Sequence, residues 1–250
     1  MTGNGIFRGL WGIVTIVSLA GGCASHAPVA ASAPAGVSET FDKSRQAAIT
    51  PDEALEQLKD GNFRFTSGTS ERRDYVAQRT ATATGQYPFA AVLSCMDSRT
   101  APEIVFDQGI GDLFVVRVAG NFAPAEIIGS LEYATKVAGA KLIVVMGHTE
   151  CGAIKGACDN VQLGNLTTVI DALRPTVDDV HNIPGDRTSK NKAFVYAVTV
   201  ANVRRTVAHI RAAIPIVREL EDSGNLKIIG AVHDIATGQV TFFDWTLPSS

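Results

Sequence analysis

A chain of 250 residues, 46% of them hydrophobic, is long enough for one catalytic-sized domain preceded by a leader. A formal charge of −3 gives no basic excess, and nucleic acid is set aside as a partner on that ground. No internal repeat divides the sequence.

In chain order, Arg8 is followed by an apolar run from Leu10 to Ala20 and then by Gly21-Gly22-Cys23. A weakly positive start, an apolar stretch of that length and small residues after it describe an export signal. The run is short for a membrane span. Cys23 after small residues resembles the cleavage site of bacterial lipoproteins, in which that cysteine carries the lipid. Leu19 stands four residues before it, where the lipoprotein pattern places it three before. Cleavage after Ala24 or Ala27 and an uncleaved anchor are the other readings. Residues 1–23 are thus read as a leader, 24–49 as an Ala/Ser/Pro-rich tether and 50–250 as the folded catalytic domain. The expected location is outside the cytoplasm, periplasmic or held at a membrane by lipid on Cys23.

Thr50-Pro51-Asp52-Glu53 has the form of a helix start, with a capping threonine, a proline at the first helical position and a capping-box glutamate. Ala54, Leu55 and Leu58 give this helix an apolar face that Gly61 and Asn62 are expected to interrupt. Thr66 to Gly85 is polar and predicts one short helix. Three short runs rich in valine, leucine and isoleucine predict buried strands: Phe89 to Cys95, Leu113 to Val118 and Leu142 to His148. Between them, helices are predicted at Pro102–Phe106 and Pro124–Val137, and a further short one at Ala153–Ala157. Leu166–Leu173 and Val177–His181 predict a helical pair bent or broken at Pro175. Ala193–Ile214 predicts a long helix that is apolar on more than one face, with Pro215–Ser223 as a separate turn or helix. Ile228–His233 predicts a fourth strand, which the Thr237-Gly238 turn sends back as an antiparallel partner at Val240–Trp245. The alternation implies an α/β fold: a central, mostly parallel sheet of about four parallel strands plus an antiparallel edge strand, flanked by helices.

In open sheets of this kind ligands bind beyond the carboxyl ends of the strands. Cys95-Met96-Asp97-Ser98-Arg99 and His148-Thr149-Glu150-Cys151 both stand there. Two thiols and an imidazole are donors of the softness Zn²⁺ prefers, and three protein ligands with an open fourth position mark a catalytic zinc site. A Cys95–Cys151 disulfide is the alternative, and it leaves Asp97, Arg99 and His148 without a common purpose. Asp97 can accept a hydrogen bond from metal-held hydroxide or bind the metal itself. Arg99 can hold that carboxylate by two points, and an ordinary ion pair is the plain reading of the two.

Cys95-x-Asp97-x-Arg99 with His148-x-x-Cys151 resembles the β-class carbonic anhydrase family. The resemblance extends through Phe106-Asp107-Gln108-Gly109, Leu113 to Asn121, Glu132-Tyr133-Ala134 and Gly147 to Gly152. It implies one Zn²⁺ per subunit on Cys95, His148 and Cys151, with Asp97 and Arg99 as catalytic dyad. It implies hydration of CO₂ to bicarbonate and a proton by hydroxide on the metal, with a dimer or tetramer as the working unit. Gln86, Phe114 and Tyr133 match its substrate-pocket residues. A carbonyl sulfide or carbon disulfide hydrolase on the same scaffold, and a tethered zinc-binding protein without catalysis, are the competing functions. Gly120-Asn121 reads as a turn at the mouth of the site with either a conformational or a pocket role, Cys158 as a buried inert thiol ahead of a redox switch or fourth ligand, and His181, His209 and His233 as ordinary structural or surface histidines ahead of a proton relay.

Overall fold

The computed structural model describes residues 36–245; the expected leader, Cys23 and the first part of the tether lie outside them. Among the described residues no helix is long and apolar enough to cross a membrane. Ordered structure begins before Thr50. Val37 bridges to Arg73, Phe41 is buried with its ring centroid 4.9 Å from that of Phe89, and helix α1 (Lys43–Ala48) follows. The Gln46 amide, also buried, donates to the carbonyls of Pro88 and Ala138, each at 2.8 Å. Residues 37–49 are therefore packed on the body, which corrects the tether expected to run through residue 49. One buried aromatic and one satisfied amide fasten a stretch whose composition alone reads as loose.

Helix α2 (Pro51–Ser67) starts as its sequence dictates. The Thr50 hydroxyl accepts from Glu53 N–H, and the Glu53 carboxylate accepts from Thr50 N–H. Gly61 and Asn62 do not interrupt its buried face; they belong to it. A Cβ on Gly61 would stand 1.8 Å from the Phe106 carbonyl oxygen, so only glycine lets the helix backbone lie this close. The Asn62 amide donates to the Val105 and Gly238 carbonyls at 3.0 and 2.9 Å, and its oxygen accepts from Val240 N–H at 2.9 Å. Helix α3 (Tyr75–Thr82) is the short helix expected in the polar stretch.

The sheet runs in the order β2 (Leu113–Arg117), β1 (Ala90–Ser94), β3 (Leu142–His148), β4 (Lys227–His233), β5 (Val240–Phe243). The first four strands are parallel and β5 is antiparallel, as expected. β1 and β3 are buried along their whole length, which is why they read as unbroken apolar runs. Alternate residues feed two cores. Val92, Val144 and Met146 pack with Leu55, Leu58 and Phe106 on one face, and Leu93, Ile143 and Val145 pack with Val203, Val207 and Ile210 of α8 (Lys192–Ala213) on the other. Each such side chain stabilises the fold by about 1.5–3 kcal/mol relative to exposure.

Four helices complete the layers: α4 (Pro102–Val105), α5 (Ala125–Glu132), α6 (Gly152–Cys158) and α9 (Pro215–Asp222). After α5 the helix widens into a π-turn over Tyr133–Val137, a departure from the uniform helix expected to Val137. Helix α7 (Leu166–Asp179) is continuous, with Pro175 inside it rather than dividing a pair. Leu173, Thr176 and Val177, on either side of the proline, are buried, and the first and last pack with Ile154 and Val198. That packing holds the last turn despite the missing donor.

Candidate metal centre

Two strand ends and one helix start assemble the site. Cys95 follows the last residue of β1, His148 is the last residue of β3, and Cys151 precedes the first turn of α6. Between the two later ligands the chain reverses at Glu150, whose backbone is left-handed at φ 60°. This reversal brings a strand residue and a helix-cap residue to one point across only two intervening positions. The three donor atoms lie within 4.8 Å of one another and all three residues are buried. The sulfurs of Cys95 and Cys151 are 3.9 Å apart and both thiols are free, so the disulfide alternative does not hold.

The donor set fits Zn²⁺ on an observation independent of composition. His148 Nδ1 lies 2.9 Å from the Thr149 carbonyl oxygen, which can only accept, so Nδ1 carries the hydrogen. The remaining nitrogen, Nε2, is left as a buried lone pair with no partner in the protein. Anchoring one ring nitrogen so that the other is basic is how proteins prepare a histidine for a metal. Between the sulfurs, the Cys151 thiol and then the His148 ring lower the pKa of Cys95 against the opposing effect of burial. Its hydrogen bond to Cys95 and its own burial raise that of Cys151. Gly120 N–H also points at the Cys95 sulfur, at 3.4 Å. Gly120 has φ 78°, a left-handed backbone that strains any side chain, and a Cβ there would also push the Leu173 methyl aside at 2.7 Å.

The loop after Cys95 is built by its own side chains. Asp97 Oδ1 accepts from Arg99 N–H at 3.0 Å, and Thr100 N–H donates to the Asp97 carbonyl at 3.1 Å, which together form a tight turn. The Arg99 guanidinium then grips the same carboxylate at two points, Nε to Oδ1 at 2.9 Å and Nη2 to Oδ2 at 2.7 Å. These bonds hold the Asp97 carboxyl well below the usual carboxylate range. Asp97 thus stands on Arg99, with Oδ2 3.9 Å from His148 Nε2.

Gln86, Phe114 and Tyr133 are not brought to this centre within the chain. Gln86 lies in the loop entering β1 at its amino end. Phe114 pairs in register with Ala91, four residues before Cys95, or about 13 Å along a strand rising ~3.3 Å per residue. Phe114 and Tyr133 meet edge-on with centroids 6.0 Å apart, in a 370 Å³ groove along β2. Tyr133 is 50% exposed there.

A sequence profile of the carbonic anhydrase family matches residues 90–240. Carbonic anhydrase 2 of Mycobacterium tuberculosis is 36% identical over 200 residues, spanning 78% of this chain and 93% of its own. The carbonic anhydrase of Pseudomonas aeruginosa is 31% identical over 196 residues, spanning 76% and 88%. Among solved structures, a β-carbonic anhydrase of Coccomyxa, in complex with acetazolamide, superposes with a TM-score of 0.57 at 26% identity, over 66% of this chain and 78% of its own. A β-carbonic anhydrase of Sordaria macrospora, described as tetrameric, gives 0.56 at 25%, over 66% and 84%.

The chain belongs to the β-carbonic anhydrase family. It is a carbonate dehydratase, and the conjunction of CxDxR and HxxC already pointed there.

Within this β-carbonic anhydrase, sequence reasoning passed over Arg117. Its Nε donates to the Cys95 carbonyl at 2.9 Å and its Nη2 to the Asp97 carbonyl at 2.5 Å. A charged residue closing an apolar strand in register with Ser94 was the available signal. The other expectations stand as surface or structural residues: His181 and His209 are exposed, and Cys158 is buried. Burial, then Asp159, push the Cys158 thiol up to about 11, which makes it inert.

Proposed function

We propose that the chain hydrates CO₂ reversibly with one Zn²⁺ per subunit on Cys95, His148 and Cys151, and with Asp97 and Arg99 as its catalytic dyad. The observation that carries this is the buried, unpartnered Nε2 of His148 beside two buried sulfurs. When bound, Zn²⁺ makes water nucleophilic at neutral pH. The protein's own part is orientation. An ionised Asp97 can only accept, so a water in front of Oδ2 turns one hydrogen toward it and a lone pair elsewhere. Arg99 keeps the carboxylate ionised and fixed. Attack by the water oxygen on the carbon of CO₂ moves one C=O electron pair onto oxygen, and bicarbonate leaves while a proton passes to solvent.

The groove of Phe114 and Tyr133, with Gln86, is assigned to the substrate pocket of a second copy's centre, since it lies far from its own. A homodimer, alone or doubled to a tetramer, is the unit this requires. Residues 1–23 are assigned to export and Cys23 to a lipid anchor, which puts the enzyme in the periplasm or on a membrane facing it. Mass spectrometry of the mature amino terminus tests that assignment.

The function is tested by stopped-flow CO₂ hydration with zinc quantified in each sample. Activity is expected to scale with zinc, to vanish on chelation and to return on zinc addition. Asp97→Asn is expected to keep zinc and lose activity on the order of 100-fold. A higher kcat/KM on carbonyl sulfide or carbon disulfide than on CO₂ would reassign the substrate.

A further inference from the structure

His233 ends β4 in register with His148 on β3, so the two imidazoles leave the same face of the sheet. The ring is 2% exposed, and neither Nδ1 nor Nε2 has a partner in the protein. The residues flanking it on that face, Met146, Ala231 and Val240, are apolar core and offer nothing to bond. Its carbonyl accepts from Thr149 N–H at 2.9 Å, and the carboxylate of the next residue, Asp234, ties the turn into β5 by accepting from the N–H groups of Ala236 and Thr237. Burial, and then His148, push the imidazole's pKa down while Asp234 and Asp97 pull it up, and the neutral ring keeps one donor and one acceptor. Leaving such a group unpaired is costly, and a leucine or phenylalanine would fill the same space without that cost. His148 and Asp97 act electrostatically on this imidazole, and their Nε2 and Oδ2 atoms lie 3.9 Å apart at the same end of the sheet.

We propose that His233 is a positioning residue for the hydration reaction: from the β4 side, its imidazole holds ordered solvent that also contacts the Asp97 carboxylate. This rests on the CO₂ reading above and adds to it a residue outside both motifs. A buried water with two to four polar partners is a common structural element, and His233 with Asp97 supplies them.

Four variants of the full chain test the proposal. His233→Phe and His233→Met keep bulk without hydrogen bonding, while His233→Gln and His233→Asn keep a donor and an acceptor. Zinc content, kcat and KM are measured on each, with the visible spectrum of the Co²⁺-substituted protein as a readout independent of turnover. The apolar variants are expected to hold metal, lose about tenfold in kcat at unchanged KM and shift the cobalt bands. Gln or Asn is expected to recover kcat to within about threefold. Should Phe fail to fold, Met against Gln decides. Wild-type kcat with an unshifted cobalt spectrum in an apolar variant overturns the proposal, and so does an equal loss in apolar and amide variants, which marks a requirement for shape. A zinc-loaded wild type inactive on CO₂ overturns the functional reading instead, and the cobalt comparison still decides His233.

Discussion

Arg117, at the end of the edge strand β2, donates to the Cys95 carbonyl at 2.9 Å and so clamps the backbone that runs from Cys95 to Asp97. A second bond from the same guanidinium reaches the Asp97 carbonyl. Arg117→Met removes both while keeping the side chain's stem. The expected outcome is a folded protein with reduced zinc retention and a kcat lower by about 10- to 100-fold, because small misplacements at a reacting centre are amplified in rate. Unchanged kcat at full zinc occupancy would show that the turn of Asp97 to Thr100 holds itself.

Arg99 is expected to set the acid limit of activity. Its hydrogen bonds are the largest cause of the lowered Asp97 pKa, so wild-type Asp97 stays ionised below the usual carboxylate range. Removing the guanidinium raises that pKa, and protonation then sets in at higher pH. Arg99→Leu is therefore expected to move the acid limb of kcat/KM upward, with activity lost as pH falls through the ordinary carboxylate range near 4. The check is a pH–rate profile with zinc quantified at each point; an acid limb that stays in place removes Arg99 from this role.

Gly61→Ala tests the close contact of α2 with the Phe106 carbonyl. A methyl placed 1.8 Å from a backbone oxygen forces the helix off its seat. Overpacking of this kind costs about 1–3 kcal/mol or more, against the roughly 0.5–1 kcal/mol by which alanine ordinarily improves a helix over glycine. Denaturant melts are expected to show a lowered midpoint.

Tyr133→Glu tests the pocket assignment. It places a charge in the groove beside Phe114 without touching the ligands. A zinc-replete monomer of low activity is expected by light scattering and CO₂ assay. A fully active monomer separates the groove from catalysis.

The clustering of Cys95, His148 and Cys151 was legible because metal chemistry restricts residue type, and strand ends restrict place. The sheet was legible from its apolar runs, since strands buried on both faces tolerate little else. What stayed hidden is held by single polar atoms. Asn62 looks like a helix breaker until its three partners are in place, and Pro175 looks like a break until buried neighbours hold the turn around it. Phe41 and Gln46 are too few to register as a folded segment in a composition count. Arg117 bonds across strands and His233 stands beside His148 only through cross-strand register, which one-dimensional spacing does not express.

Asn62 bonds Gly238 and Val240, 176 and 178 positions downstream. The amide therefore finds these partners only once β5 is in place, most of the folded domain away along the chain. Contacts this distant along the polymer are slow to form, so β5 is expected to dock late. Trimming the carboxyl terminus into β5 leaves a polar side chain stranded in the first core, and such a fragment is a substrate for proteolysis rather than a smaller enzyme.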